Sequence, residues 1–308
     1  MGQNGGTRVA LVTGASYGVG AATALALARD GLDLVLTATR EENLAKTCEV
    51  LAPFGRQVLP SEFDLRAQAS IEALVAKALA RFGRIDVLVN NAGANLRRKA
   101  VDITREDWNE LMAINVTGTF FLTQQIGRHL VARQTPGRII TVASTAALVG
   151  QTERAVYGIS KAALLQMTRM LAIEWAEHGI AVNAVAPGRL NTESPSRAGT
   201  GSNKAYMEAM LKRIPMHRLA TVEEVASAVA FLAGPAAATI TGQGDRSRWR
   251  PDRHVKIKSE HLVTFFITRD AHVVILYPAG IGGRLQTCRM IRMIGPLKQL
   301  KRSGLQNR

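Results

Sequence analysis

In the stretch "RAVYGISK", residues 154–161, a tyrosine and a lysine stand four apart at the head of an apolar, helix-periodic run. Positions i and i+4 are neighbours on a helix surface, so Tyr157 and Lys161 can do one of two things. Two amphipathic side chains can simply cover apolar surface. Alternatively they can make a working base. A free phenol titrates at about 10 and takes a proton poorly at neutral pH, but an ammonium about 5 Å away favours the phenolate by roughly 3 kcal/mol at an effective dielectric near 20. Such a group serves to remove or supply the proton at an alcohol or ketone oxygen during hydride transfer. The choice turns on what the rest of the chain places around this pair.

The positioning elements can be read from residue 7 to about 240, where short β-rich apolar runs alternate with longer stretches of helical period. Strands are expected at "RVALVT" (8–13), "LDLVLT" (32–37), "QVLPSEF" (57–63), "DVLVN" (86–90), "RIITVA" (138–143) and "IAVNAVA" (180–186). Helices are expected over about 18–30, 41–52, 67–82, 104–132, 155–177, 204–213 and 221–233. Strand and helix in alternation imply right-handed βαβ units, hence an α/β fold: a Rossmann-like, doubly wound parallel sheet flanked by helices on both faces. Ligands of such a sheet bind beyond the carboxyl ends of its strands.

At the first of those ends the chain reads "LVTGASYGVGAATALALARDG", with Gly14, Gly18 and Gly20 between strand and helix. Glycines there let the backbone approach a pyrophosphate, and the helix N-terminus offers N–H groups and a favourable dipole. With these residues in view the chain resembles the short-chain dehydrogenases/reductases over residues 7–243. "TGASYGVG" matches that family's cofactor turn, which brings in Gly14, Ser16, Tyr17, Gly18, Val19 and Gly20. Asp64 and Leu65 in "FDL" match its adenine contact, and Asn91, Ala92 and Gly93 belong to its "NNAG". Asn115 in "INVTG", Ser144, Tyr157 and Lys161 match its catalytic set, with Ser144 standing 13 residues before Tyr157. "NAVAPGRLNT" (183–192) resembles the segment that contacts the nicotinamide, so Pro187, Gly188 and Thr192 carry over.

The resemblance implies an NAD(P)(H)-dependent oxidoreductase. Tyr157 serves as acid/base, Ser144 binds the substrate oxygen, Lys161 also reaches the nicotinamide ribose, and Asn115 holds a proton-relay water. Ala38 stands where NAD-preferring members place an acid, and Thr39 and Arg40 follow it. NADP(H) is therefore expected over NAD(H). Arg97, Arg98 and Lys99, after "NNAG", are expected near the pocket mouth, either to gather an anionic substrate or as a solvated loop. The pattern is similar to gluconate 5-dehydrogenases acting on sugar acids and equally to 3-oxoacyl-[acyl-carrier-protein] reductases. A Gly/Ser/Asn-rich stretch within about 191–213 is expected to form a substrate lid.

The formal charge of +15 is uneven. Residues 244–308 carry 14 Lys/Arg against four Asp/Glu, and the preceding 243 carry 25 against 20. The chain thus divides into a domain at 1–243 and a basic tail at 244–308. Family members run from "ITGQ" into a last strand ending V-D-G-G, whereas this chain continues "GDRSRWRPDRH". Shifting the reading frame by one base at Gln243 or Gly244 permits Val-Ile-Ala-Val-Asp-Gly-Gly, and the single codon of Trp249 forces the first of those glycines. We read the tail as a frameshift product; genomic DNA that does not encode V-D-G-G in the shifted frame rules this out. The last strand is accordingly expected to be disrupted; "HLVTFFITRDAHVVILY" (261–277) can form a hairpin and pair in its place, but the favoured expectation is a loosely ordered, aggregation-prone 244–308. A second functional reading follows: a catalytically impaired, cofactor-binding relic whose basic tail holds polyanions nonspecifically. No specific nucleic-acid partner, membrane span or metal site is expected, His129, His178 and His217 lacking ligand spacing. Cys48 and Cys288 read as reduced bystanders, the location as cytoplasmic, and the assembly as a homo-oligomer unless the tail prevents it.

Overall fold

A computed structural model describes residues 6–190 and 216–242, a few positions between them (208, 211, 212 and 214), and two short strands at 264–266 and 274–276. Six strands make one sheet: β1 (Val9–Val12), β2 (Asp33–Ala38), β3 (Val58–Glu62), β4 (Val87–Asn90), β5 (Gly137–Val142) and β6 (Ile180–Val185). All its pairings are parallel and the order is β3-β2-β1-β4-β5-β6. The order reverses between β1 and β4, which opens a crevice above their carboxyl ends. Each expected strand is present to within a residue or two.

Because successive strand residues face opposite ways, the sheet feeds two cores. Ala10, Val12, Val87, Val89 and Ile140 face one side, under α1 (Gly18–Arg29), α2 (Ala45–Leu51) and α7 (Val222–Ala233). Val9, Leu11, Leu88 and Ile139 face the other, under α3 (Gln68–Phe82), α5 (Thr119–Arg133) and α6 (Ala155–Trp175). Strands buried on both faces must be apolar throughout, as "VALV" and "DLVLTA" nearly are.

The helix expected to run unbroken over 104–132 is interrupted. Helix α4 (Arg105–Met112) begins at a reciprocal Thr104/Asp107 cap, residues Ala113–Gly118 widen into a π-helical turn, and α5 then resumes. Packing explains the break: a Cβ at Gly118 would lie 2.0 Å from the Leu65 carbonyl oxygen. The widened turn presses against that strand end and buries Asn115 to 1% exposure.

Among the described residues no strand extends the sheet beyond β6. Thr241 and Gly242 nonetheless lie against β6: the Gly242 N–H donates to the Val182 carbonyl at 2.9 Å, and the Val182 N–H donates to Thr241 Oγ1 at 3.1 Å. Farther on, β7 (Thr264–Phe266) and β8 (Val274–Leu276) pair antiparallel in a separate two-stranded sheet, within the segment that the sequence allows as a hairpin. The lid at 191–213 and the helix at 204–213 lie almost wholly outside the described residues, as does the rest of the tail.

Candidate active site

The glycine turn is shaped by what surrounds it. Gly14 (φ 64°) and Gly18 (φ 61°) are left-handed, a conformation strained for any side chain. A Cβ on Gly20 would lie 2.1 Å from the Gly14 carbonyl oxygen, so only glycine lets α1 abut the turn. Asn91 pins the turn from β4, its Nδ2 donating to the carbonyls of Thr13 and Gly14 at 2.9 Å each. Thr13 Oγ1 in return accepts the N–H groups of Asn91 and Ala92, both at 3.0 Å. Tyr17 is extended and its side chain caps nothing, so the first turn of α1, from Gly18 through Val19, has no side-chain acceptor. Thr47 Oγ1 steadies the carbonyls of Ala15 and Ser16. A tight cradle with uncapped N–H groups and no acid in the helix's first turn fits a dinucleotide pyrophosphate.

At the end of β2, Ala38 is buried while Thr39 and Arg40 are exposed; Arg40 faces Glu42 at 3.9 Å across a well-solvated gap. The Phe63 N–H donates to the Ala38 carbonyl at 2.8 Å, which sets Asp64 and Leu65 beside that loop. Asp64 is not free: Arg66 grips both carboxylate oxygens through Nε and Nη2 at 2.8–3.1 Å. The Arg66 hydrogen bonds hold its carboxyl below the ordinary carboxylate range. Sequence reasoning passed over Arg66, although an opposite charge two residues along was its signal.

Lys161, Tyr157 and Asn115 lie close together beyond β4 and β5, and Ser144 stands two residues past the end of β5. The Lys161 ammonium is buried, donates to the Val142 carbonyl at 2.9 Å, and lies 5.9 Å from the centre of the Tyr157 ring. Burial pushes Lys161 down to about 8. Gly93 leaves room for Asn115, since a Cβ there would lie a tight 3.1 Å from its Oδ1. Asn115 binds the Ala94 backbone twice, accepting its N–H at 2.7 Å and donating to its carbonyl at 3.0 Å, and donates also to Ser160 Oγ at 3.0 Å. Ser160 donates in turn to the Tyr157 carbonyl at 2.8 Å. Asn115 thus ties the loop after β4 to α6, both N–H groups of its side chain being committed.

Ser144 caps the short turn Thr145–Ala147 by accepting the Ala146 N–H at 3.2 Å. That leaves its own hydroxyl proton to donate. Gly158 packs on the same turn, where a Cβ would lie 3.0 Å from the Ala146 carbonyl oxygen. Pro187 accepts the Thr145 N–H at 3.0 Å, so Pro187 and Gly188 run alongside Ser144. Thr192 lies outside the described residues.

The cations foreseen at the mouth are largely neutralised. Arg97 meets Glu153 at 2.7 Å, Arg98 pairs with Asp107, and Lys99 is exposed beside the turn Ala100–Asp102. The loop is stitched to the start of α6 by the Arg98 N–H on the Glu153 carbonyl at 3.0 Å. Arg154 was overlooked. Its guanidinium bonds Asn95 Oδ1 and lies 5.4 Å from the Tyr157 ring centre. Its position three residues before Tyr157 was the available signal. Among the described residues no three His, Cys, Asp or Glu side chains cluster to hold a metal, and no helix is long and apolar enough to cross a membrane.

Comparison with known proteins gives consistent matches. A family model described as enoyl-(acyl carrier protein) reductase matches residues 14–244. The chain is 35% identical over 235 residues to a 2-dehydro-3-deoxy-D-gluconate 5-dehydrogenase of Escherichia coli, covering 76% of this chain and 91% of that one. It is 38% identical over 239 residues to a 3-oxoacyl-[acyl-carrier-protein] reductase of a Synechocystis species, covering 77% and 93%. Among solved structures, a variant of actinorhodin polyketide ketoreductase with NADPH superposes with a TM-score of 0.72 at 35% identity, covering 77% of this chain and 94% of that one.

Proposed function

The chain belongs to the short-chain dehydrogenase/reductase family and is an oxidoreductase acting on hydroxyl and keto groups, and we propose that it interconverts a secondary alcohol and a ketone with NADP(H) preferred over NAD(H). The substrate is of the sugar-acid or 3-oxoacyl type. One observation carries the reading: a buried ammonium with no carboxylate partner among the described residues, one helical turn from a tyrosine.

In the reductive direction Ser144 donates to the ketone oxygen and fixes it. Tyr157 then gives its phenolic proton to that oxygen. The Lys161 ammonium favours the phenolate left behind, because an opposite charge at this range stabilises the ionised form. Asn115 holds the loop after β4 against α6, so the proton donor and the cofactor floor keep their spacing. When bound, NADPH supplies the hydride for the carbonyl carbon. The backbone of Gly14, Ser16, Tyr17, Gly18, Val19 and Gly20 would hold its pyrophosphate, Asp64 and Leu65 its adenine, and Thr39 and Arg40 its 2′-phosphate. Asn91, Ala92, Gly93, Pro187 and Gly188, with Thr192 by the resemblance, would hold the nicotinamide half, and Lys161 would bind its ribose.

Purified protein assayed with NADPH and NADH on a ketone panel tests this. Turnover with higher kcat/KM for NADPH is expected, and Ala38→Asp should shift the ratio toward NADH by about tenfold or more through repulsion of the 2′-phosphate. No turnover with either cofactor refutes the reaction and returns the impaired-relic reading; an unchanged ratio refutes the cofactor assignment.

The domain reading is 1–243 for the catalytic unit, with the lid at 191–213, and 244–308 for an atypical appendage. It is supported by the hydrogen bonds that hold Thr241 and Gly242 against β6 and by the family match stopping at residue 244. A homo-oligomer in the cytoplasm is the accompanying expectation. Phe120 and Phe121 on α5, with Ile159, Met170 and Ile173 on α6, are exposed apolar groups suited to a second copy. Restoring V-D-G-G after Gln243 should raise the oligomer size measured by light scattering; an unchanged size refutes a role for the tail in assembly.

A further inference from the structure

Three guanidiniums gather where the loop after β4 meets the start of α6, and their fates differ. Arg97 is held by Glu153 and Arg98 by Asp107. Arg154 has no carboxylate partner among the described residues: it touches the Asn95 side-chain oxygen and lies over the ring of Tyr157. A half-buried guanidinium beside the proton donor, not neutralised by the protein, is available to an anion that enters with the substrate. Its planar fork suits a carboxylate, which it can take bidentately. Its place over the ring sets that carboxylate within a few carbon–carbon bonds of any oxygen the phenol touches.

Resting on the reaction proposed above, we infer that Arg154 selects the substrate by binding a carboxylate carried close to the reacting carbonyl, so that the enzyme acts on keto acids and hydroxy acids rather than on their neutral esters. Arg97 and Arg98, which the sequence offered for this task, instead fix the loop that presents Asn95 to Arg154. The residue is a specificity determinant: it sets where the substrate's charge lies and leaves the proton transfer to Tyr157.

The test compares acetoacetate, levulinate and 5-oxohexanoate with their methyl esters, using NADPH and the full-length protein. At least one acid of the series should exceed its ester in kcat/KM by tenfold or more. Arg154→Gln should abolish that preference by raising KM for the acid, with kcat and the ester's kinetics little changed, and Arg154→Lys should restore part of it. Acid and ester used equally by the wild type, or a preference that survives Arg154→Gln, overturns the inference and leaves Arg154 as packing on an aromatic face. Calorimetric binding of the same pairs in the presence of NADPH separates this from the reaction itself. Arg154-dependent carboxylate binding without turnover counts against the reaction and for the inference; no carboxylate preference in either assay overturns the inference.

Discussion

The two ends of the central strands both bury a charge, and they complete it in opposite ways. At the amino end Asp86, just before β4, has a side chain only 4% exposed and accepts the Val9 N–H at 2.9 Å, two Arg84 bonds at 2.8 Å and an Arg133 contact at 3.4 Å. Burial pushes its carboxyl up, yet those hydrogen bonds and the charges of Arg84 and Arg133 hold it below its ordinary value. At the carboxyl end Lys161 is 5% exposed, has a backbone carbonyl as its acceptor, and is pushed down by burial. A buried charge that is fully partnered serves the fold. One left without its counter-charge destabilises the fold and is kept ready for a reaction that creates an anion beside it.

The contrast can be broken by removing each charge in turn. Asp86→Asn should cost about 3–5 kcal/mol in denaturant unfolding, because two arginines lose their partner in a half-buried site, while turnover per folded molecule stays unchanged. In the native protein the stabilisation from Asp86 is present above its unfolded pKa and is lost as pH falls through the lower folded value. Lys161→Met should act with the opposite sign on stability. Lowering Lys161 from 10.5 to about 8 corresponds to about 3 kcal/mol of penalty for burying the ammonium. Its folded pKa lies below the unfolded one, so the unfolded chain binds more protons between those values and stability rises with pH across that window. The gain from Lys161→Met should therefore be largest below about pH 8 and vanish above 10.5, although ketone reduction is lost. A destabilised Lys161→Met protein at neutral pH, or an unaffected Asp86→Asn, removes the contrast. A subtler effect sharpens it: ketone reduction by the wild type should decline as pH rises through about 8, where Lys161 loses its charge.

Much of this architecture was legible in the chain. The six strands and the order of elements follow from apolar runs, nearly all of them buried on both faces except at the edge strand β3, and the turn at Gly14–Gly20 from glycines required by left-handed backbone at Gly14 and Gly18 and by packing at Gly20. What escaped were features set by contacts distant in sequence. The π-helical turn at Ala113–Gly118 arises because Gly118 meets the Leu65 carbonyl, and helical periodicity carries no trace of that meeting. The pairing of Arg97 with Glu153 depends on the loop after β4 lying beside the start of α6, and that of Arg98 with Asp107 on the same loop folding back to the first turn of α4, so charge along the chain overstated the positive field at the mouth. Asn115 was identified by type and position, yet its commitment to Ala94 and Ser160 is a fact of three dimensions.

The most direct test of the account is the rate of NADPH-dependent ketone reduction by Tyr157→Phe. General acid catalysis contributes about 10²–10⁴-fold, so removing one hydroxyl should slow turnover by that order while unfolding temperature and NADPH affinity stay at wild-type values. A phenylalanine variant that reduces ketones at the wild-type rate contradicts the assignment of the proton to Tyr157, and with it the reason for burying Lys161.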